Sequence, residues 1–262
     1  MTTSTRQRDL NLLGRQTYYE QLTFWKNPLG AIFTVAFSVV FLVLLGSSAG
    51  NSKISFLGQI RVIQYYVPAF AAYGVMSACF SVLCINLVVR RETGLLKRLR
   101  LSPLPTWIML GGVLLSTFIV VVVQIALLLI LGRVAYHVHL PGTPLALVLA
   151  LAVGVLCFTS LGIAASTFVP NQEAAGPIVN IVFFVLLFVS GLWYPLQSGS
   201  ALARVGDYFP VRHLITAVFA PFDARPGVSP WAWNDLVTMA IWGVVAGYVA
   251  LRRFRFEPTR NS

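Results

Sequence analysis

Six long apolar runs, none holding an Asp, Glu, Lys, Arg or His, decide what this chain can fold into: residues 29–45, 65–89, 107–131, 145–169, 178–194 and 236–251. A helix needs roughly 17–25 predominantly apolar residues to cross about 30 Å of hydrocarbon. Inside lipid the backbone must satisfy its own polar groups, so such runs become helices. A membrane β-barrel would instead show short alternating strands. The pattern predicts an all-α integral membrane protein with six transmembrane helices. Composition excludes the main alternatives: 57% of the residues are hydrophobic and 10% charged, against about 25% charged in a soluble domain. So few charges cannot cover a soluble enzyme, a nucleic-acid-binding domain or a disordered chain. The net charge of +11 therefore signals basic loops on the cytoplasmic side of a membrane, not nucleic acid.

The basic residues set the expected orientation. With the N-terminus inside, the cytoplasmic set is Arg6, Arg8, Arg15, Lys26, Arg90, Arg91, Lys97, Arg98, Arg100, Arg252, Arg253, Arg255 and Arg260, leaving six of the 19 basic residues outside. Both termini are then cytoplasmic. Three segments follow: residues 1–28 as an interfacial amphipathic connecting helix, 29–251 as the six-span domain, and 252–262 as a basic cytoplasmic tail. In the first, Tyr18, Leu22 and Trp25 recur at helical spacing and form one apolar face. That segment lacks an early apolar core, so no cleavable signal is expected. Residues 170–177 read as a tight internal turn carrying Glu173. The longest external stretch, 195–235, holds two short, partly apolar pieces broken by Pro210 and Pro221. Neither can span, which predicts a re-entrant hairpin containing Pro195, Pro210, Arg212 and His213.

Reaction chemistry is missing from the spans. The eight acidic residues are scattered, His137 and His139 are too few to hold a metal alone, and Cys79, Cys84 and Cys157 lie in apolar runs as small core residues. No catalytic residue and no metal ligand is assigned. A proton-coupled pump or an ion channel usually keeps an ionisable group at membrane depth, and these runs have none. The polar residues within them are Gln124, Asn86 and Asn180 among others. They serve interhelical hydrogen bonding or line a translocation path. Gly243 and Gly247 form a small-xxx-small stripe suited to close helix packing, inside the protomer or in a dimer.

The most informative stretch is the second cytoplasmic loop, Arg90-Arg91-Glu92-Thr93-Gly94-Leu95-Leu96-Lys97-Arg98-Leu99-Arg100-Leu101-Ser102-Pro103-Leu104. Leu95 and Leu99 share a helix face, with Leu96 beside them and basic residues on the other positions. A short amphipathic helix follows, ended by Pro103. This loop resembles the cytoplasmic loop of ABC-2 type transporter permeases. Two further stretches resemble that family: Phe24-Trp25-Lys26-Asn27-Pro28 before the first span, and Gly191-Leu192-Trp193-Tyr194-Pro195 with Phe209-Pro210-Val211-Arg212-His213 beyond the fifth. The six-span layout is also similar, so the resemblance covers essentially the whole chain.

The resemblance implies the transmembrane subunit of an ABC exporter in a bacterial cytoplasmic membrane, moving a drug, lipid or glycoconjugate outward. It implies a coupling helix with Glu92, Gly94, Leu95, Leu96, Arg98 and Leu99 against a separate ATPase subunit. It also implies a homodimer or heterodimer with a second permease chain, contacting mainly through the first and fifth spans. A phosphate-binding loop needs a Gly-Lys pair, and Lys26, Lys53 and Lys97 follow Trp25, Ser52 and Leu96. ATP and magnesium therefore belong to the partner subunit. The alternative reading is an ATP-independent secondary transporter or membrane scaffold.

Overall fold

A computed structural model describes residues 2–49, 52–57, 59–95, 105–193, 195–196, 199–223, 225 and 227–253. Among them are six helices long and apolar enough to cross a membrane: Pro28–Ser48, Val62–Glu92, Gly111–Tyr136, Pro144–Ser166, Gln172–Ser190 and Trp233–Arg253. We number them as spans one to six. The protein is mostly helical and multi-pass.

Local chemistry sets where each helix starts and stops. The N-terminal helix Thr2–Lys26 breaks at Asn27, whose side chain accepts from the Gly30 amide at 3.2 Å and caps the first span, with Pro28 just inside it. Pro144 opens the fourth span in the same way. His137 ends the third in a left-handed conformation (φ 54°), and Gly191 ends the fifth at φ 87°. Between spans one and two, Lys53 pairs with Arg61 and Ile54 with Ile60 in a two-residue antiparallel ladder that the hydropathy pattern does not announce.

The second span is the hub, buried along most of its length against the first, third, fourth and fifth spans and the hairpin helix Pro210–Phe219. The sixth span packs on the fourth. There Gly243 lies so close to the Cys157 backbone that an added Cβ would meet its Cα at 3.2 Å, while Gly247 faces Ser160. The small-residue stripe thus packs on the fourth span of the same chain. All three cysteines are buried and unpaired.

One reading of the sequence needs correction. Residues 172–177 are not part of a turn: the fifth span starts at Gln172, and the turn is residues 167–171. Asn171 caps that span by accepting from the Ala174 amide at 2.9 Å, with Glu173 in the first turn. Pro177 then sits inside the helix. The N-terminal helix does more than lie at an interface. It runs alongside the start of the third span, with Gln21 donating to the Ser116 carbonyl at 2.7 Å and Gln16 close over Gly112.

Neither of two π-helical segments, Ile32–Ala36 in span one and Ser77–Val82 in span two, is visible in the hydropathy. They face each other, and the hydroxyls of Thr34 and Ser77 bond across them at 3.0 Å. Such local widenings leave backbone groups less regularly paired and concentrate at functional sites.

Candidate functional site

The charged side chains gather at the ends of the bundle. At the end that carries the N-terminal helix, the second span finishes in Arg90-Arg91-Glu92. Arg90 donates two hydrogen bonds to the Glu20 carboxylate of the N-terminal helix, at 2.8 and 2.7 Å, with both side chains largely buried. A two-pronged guanidinium–carboxylate pair fixes orientation as well as distance. Arg91 turns the other way. It is buried, and it donates to the carbonyls of Ser166 (3.2 Å), Val169 (2.8 Å) and Pro170 (3.2 Å) and to Glu92 (3.1 Å). It thereby satisfies orphan carbonyls where the fourth span ends and places a cation at that helix's negative pole. Adjacent arginines tie the root of one loop to three neighbouring elements.

From that root the chain turns sharply. Thr93 caps back onto the Val89 carbonyl, and Gly94 adopts φ 70°, a conformation that favours glycine. Glu92 closes the second span and does not open a separate helix; Leu95, beyond the turn, is exposed. Leu96, Arg98 and Leu99 lie outside the described residues. On the N-terminal helix, Thr17, Glu20 and Phe24 face the bundle, while Tyr18 and Trp25 point away and Leu22 is half-buried. Of the apolar face read from the sequence, Tyr18 and Trp25 are thus left exposed.

The three polar span residues do not converge. Gln124 is fully buried, donating to the Ser38 hydroxyl at 2.7 Å and to the Phe70 carbonyl at 3.3 Å, so it clasps spans one, two and three. Its Oε1 has no hydrogen-bond partner among the described residues and rests against Gly74, where a Cβ would lie 1.8 Å away. Asn86 is half-buried beside Glu20 and Arg90 in a small crevice of about 40 Å³ between the N-terminal helix and spans two and three. Asn180 is exposed on the outer face of span five, in line with Phe184.

At the opposite end, Tyr65 and Tyr66 donate to the carbonyls of Gly191 and Trp193, each at 2.7 Å, holding the exit of span five onto the hub. The segment after it forms the helices Ala201–Gly206 and Pro210–Phe219. His213 locks this hairpin: Nδ1 lies 2.6 Å from Asp235 of span six, and Nε2 lies 2.9 Å from the Asp207 carbonyl. The Asp235 hydrogen bond raises the His213 pKa above its ordinary value, with burial opposing it. Arg212 pairs with Asp207 at 3.0 Å. Pro210 starts the second hairpin helix, and Pro195 lines a cavity beside it. Residue 194 lies outside the described residues. The sequence flagged the hairpin by its prolines, but not Tyr65, Tyr66 or Asp235, whose roles depend on partners more than 20 positions away. His137 and His139 serve through their backbone carbonyls and amides, bonded to Arg61 and Gln64. Among the described residues no three His, Cys, Asp or Glu side chains gather closely enough to hold a metal ion.

These features define a polytopic helical membrane protein whose polar groups brace helices at the two ends of a bundle. A family profile described as ABC-2 family transporter protein matches residues 47–252. The chain belongs to that family and is a membrane transport permease component. It is similar to "Putative transport permease YvfS" of Bacillus subtilis (strain 168), at 22% identity over 233 residues, which is 88% of this chain and 92% of that protein. It is also similar to "Probable multidrug ABC transporter permease YbhR" of Escherichia coli (strain K12), at 24% identity over 192 residues. That match takes in 73% of this chain but 52% of YbhR, so the chain spans about half of that relative.

Proposed function

We propose that this chain is the membrane subunit of an ATP-driven exporter that moves a hydrophobic or amphiphilic compound out of a bacterial cell. Separate ABC ATPase subunits carry the ATP and magnesium and dock at the loop following Gly94. The observation that carries the reading is the double arginine root of that loop. Arg90 fixes it to the N-terminal helix and Arg91 to the turn between spans four and five. A push on the loop is therefore delivered to three elements at once. ATP binding can then shift the whole subunit between two states, provided the ATPase has different affinity for each.

Two permease chains form the path. The exposed apolar faces of spans one and five, with Asn180 on the latter, supply the surface where the second copy sits. Asn180 then meets a hydrogen-bonding partner in place of lipid. The YbhR name supports a multidrug type of cargo.

Leu99→Asp tests the docking. It puts a carboxylate into a contact surface built from leucines and leaves the spans untouched. We expect normal membrane insertion, loss of co-purification with the ATPase encoded beside the permease, and loss of transport. Full transport and full ATPase retention in Leu99→Asp would refute the docking role of the loop. Absence of any ATPase from the native complex would refute the exporter.

A further inference from the structure

The outward face of the N-terminal helix Thr2–Lys26 is graded along its length. At about 100° per residue, the stripe opposite Thr17, Glu20 and Phe24 runs through Arg8, Asn11, Arg15, Tyr18, Leu22 and Lys26. Its first half is cationic. Arg8 and Arg15 are exposed and border a shallow groove with Gln7, Asn11 and Leu12. Neither forms an ion pair among the described residues. Of the helix's two carboxylates, Glu20 is bound to Arg90, and Asp9 pairs with neither arginine. The second half is aromatic: Tyr18, Tyr19 and Trp25 are 61%, 55% and 47% exposed. The Trp25 ring N–H donates to Gln21 Oε1 at 3.0 Å, so the outward ring is held in place with its polar group already satisfied.

The helix also dips as it proceeds. Leu13 lies against Gly111, Gln16 against Gly112, and Gln21 donates to the Ser116 carbonyl. Gly111 begins the membrane-crossing part of span three. From Leu13 to Gln21 the contacts therefore advance from residue 111 to residue 116, about 7 Å into the apolar stretch. The cationic half stands where headgroups meet hydrocarbon, and the aromatic half lies deeper, at the level that Tyr and Trp rings favour. A partner in the aqueous phase meets only the first of these halves, whereas one leaflet of the bilayer fits both. We infer that this face binds the anionic headgroups of the adjoining leaflet. Lipid phosphates accept from Arg8 and Arg15, and Tyr18, Leu22 and Trp25 rest among the glycerol groups and first methylenes. Because Glu20 of the same helix holds Arg90 at the root of the loop after Gly94, the charge of the leaflet bears on how firmly that root is held. This consequence rests on the exporter reading above; the binding itself does not.

The full chain is labelled with bimane at Asn11→Cys, the three native cysteines being buried, and placed in phosphatidylcholine nanodiscs without ATPase. The quenchers are phosphatidylglycerol and phosphatidylcholine, brominated at the same acyl position near the headgroup and compared at equal mole fraction. We expect phosphatidylglycerol to be enriched at the probe by roughly fivefold for each engaged arginine. The excess should vanish at 1 M salt, where the Debye length is about 3 Å, and in the double variant Arg8→Gln/Arg15→Gln. Arg252→Gln, exposed at the end of span six on the same side of the bundle, should leave it unchanged. An equal loss in Arg252→Gln would make the attraction a matter of net charge and overturn the site. Equal quenching by the two lipids at position 11 would overturn it with no variant needed. Bimane at Tyr18→Cys should be quenched by both lipids; no quenching there would mean that the helix stands off the bilayer, against the proposal. Adding the ATPase encoded beside the permease tests the competing occupant. Retained quenching supports the lipid, and exclusion of lipid from both probes assigns the face to the ATPase. If the native complex holds no ATPase, the exporter reading falls while the quenching still decides the lipid site.

Discussion

Gly74→Ala should destabilise this protein even though alanine is the better helix former, and the reason is Gln124. A Cβ at position 74 would stand 1.8 Å from Gln124 Oε1, 2.0 Å from Nε2 and 2.1 Å from Cδ. Carbon atoms in contact sit about 3.5–4.0 Å apart, so the amide must move by roughly 2 Å. It has nowhere to go, because Gln124 is 0% exposed. Overpacking of this kind costs about 1–3 kcal/mol. Displacing the amide also breaks its bonds to Ser38 and Phe70, at about 0.6 kcal/mol each inside a membrane protein. Against this stands a propensity gain of about 1 kcal/mol for replacing a helical glycine. The net is a loss of roughly 1–3 kcal/mol. In a Gln124→Ala background the obstacle is gone, and the same Gly74→Ala change should become stabilising by up to about 1 kcal/mol. The four proteins of this cycle are compared by reversible unfolding in mixed detergent–SDS micelles, following helicity. A coupling energy near zero, with Gly74→Ala having the same effect in both backgrounds to within about 0.5 kcal/mol, would refute the argument.

Arg91→Met leaves the Ser166, Val169 and Pro170 carbonyls without their shared donor. At about 1–3 kcal/mol for an unsatisfied group, reduced where water reaches the end of the span, it should cost ~2–4 kcal/mol in the same unfolding assay, with Arg91→Lys recovering part. The His213 pair makes stability depend on pH. Its folded pKa lies above the unfolded value of about 6.5, so the contribution is complete below that value and disappears as pH rises through the folded pKa. Melting temperature in detergent should therefore fall on going from pH 6 to pH 9, and Asp235→Asn should flatten that part of the profile. Cysteines introduced at Thr2 and Asn261 should resist an impermeant maleimide in intact cells while one at Ser200 reacts, as the distribution of basic residues requires.

Hydropathy revealed the six spans because lipid imposes a requirement that every residue of a span must meet, and the signal accumulates over some twenty positions. Features resting on one or two residues were less legible. The start of span five was misplaced because Pro177 resembles a turn residue, yet the cap Asn171 and the first-turn Glu173 were both in the sequence and mark the true start. The N-terminal helix was read from its outward face, Tyr18, Leu22 and Trp25. Its inward face mixes Thr17 and Glu20 with Phe24, and its polar part becomes recognisable only when Glu20 is seen beside Arg90 and Gln21 beside Ser116. Gln124 stands out in the sequence as a polar residue inside a span, but its partners Ser38 and Phe70 are 86 and 54 positions away. The two π-helical segments have no compositional signature at all.

The placement of charge and of irregular backbone together suggests how such a subunit would move. The ends are braced by polar contacts: Glu20, Arg90 and Arg91 at one, and His213, Asp235 and the Tyr65 and Tyr66 hydroxyls at the other. Between them, spans one and two both widen into π-turns at the same depth, joined by the Thr34–Ser77 hydrogen bond. The Oε1 of the neighbouring Gln124 accepts no hydrogen bond among the described residues. π-bulges inside α-helices are frequent at functional sites, which makes the Thr34–Ser77 contact the place to perturb. Force applied at the Arg90–Arg91 root would then be taken up at Thr34 and Ser77 and not dissipated along the helices. Replacing Thr34 by Val, which keeps the shape and removes the bond, should leave assembly intact and alter the rate of transport. Unchanged transport in Thr34→Val would place the hinge elsewhere.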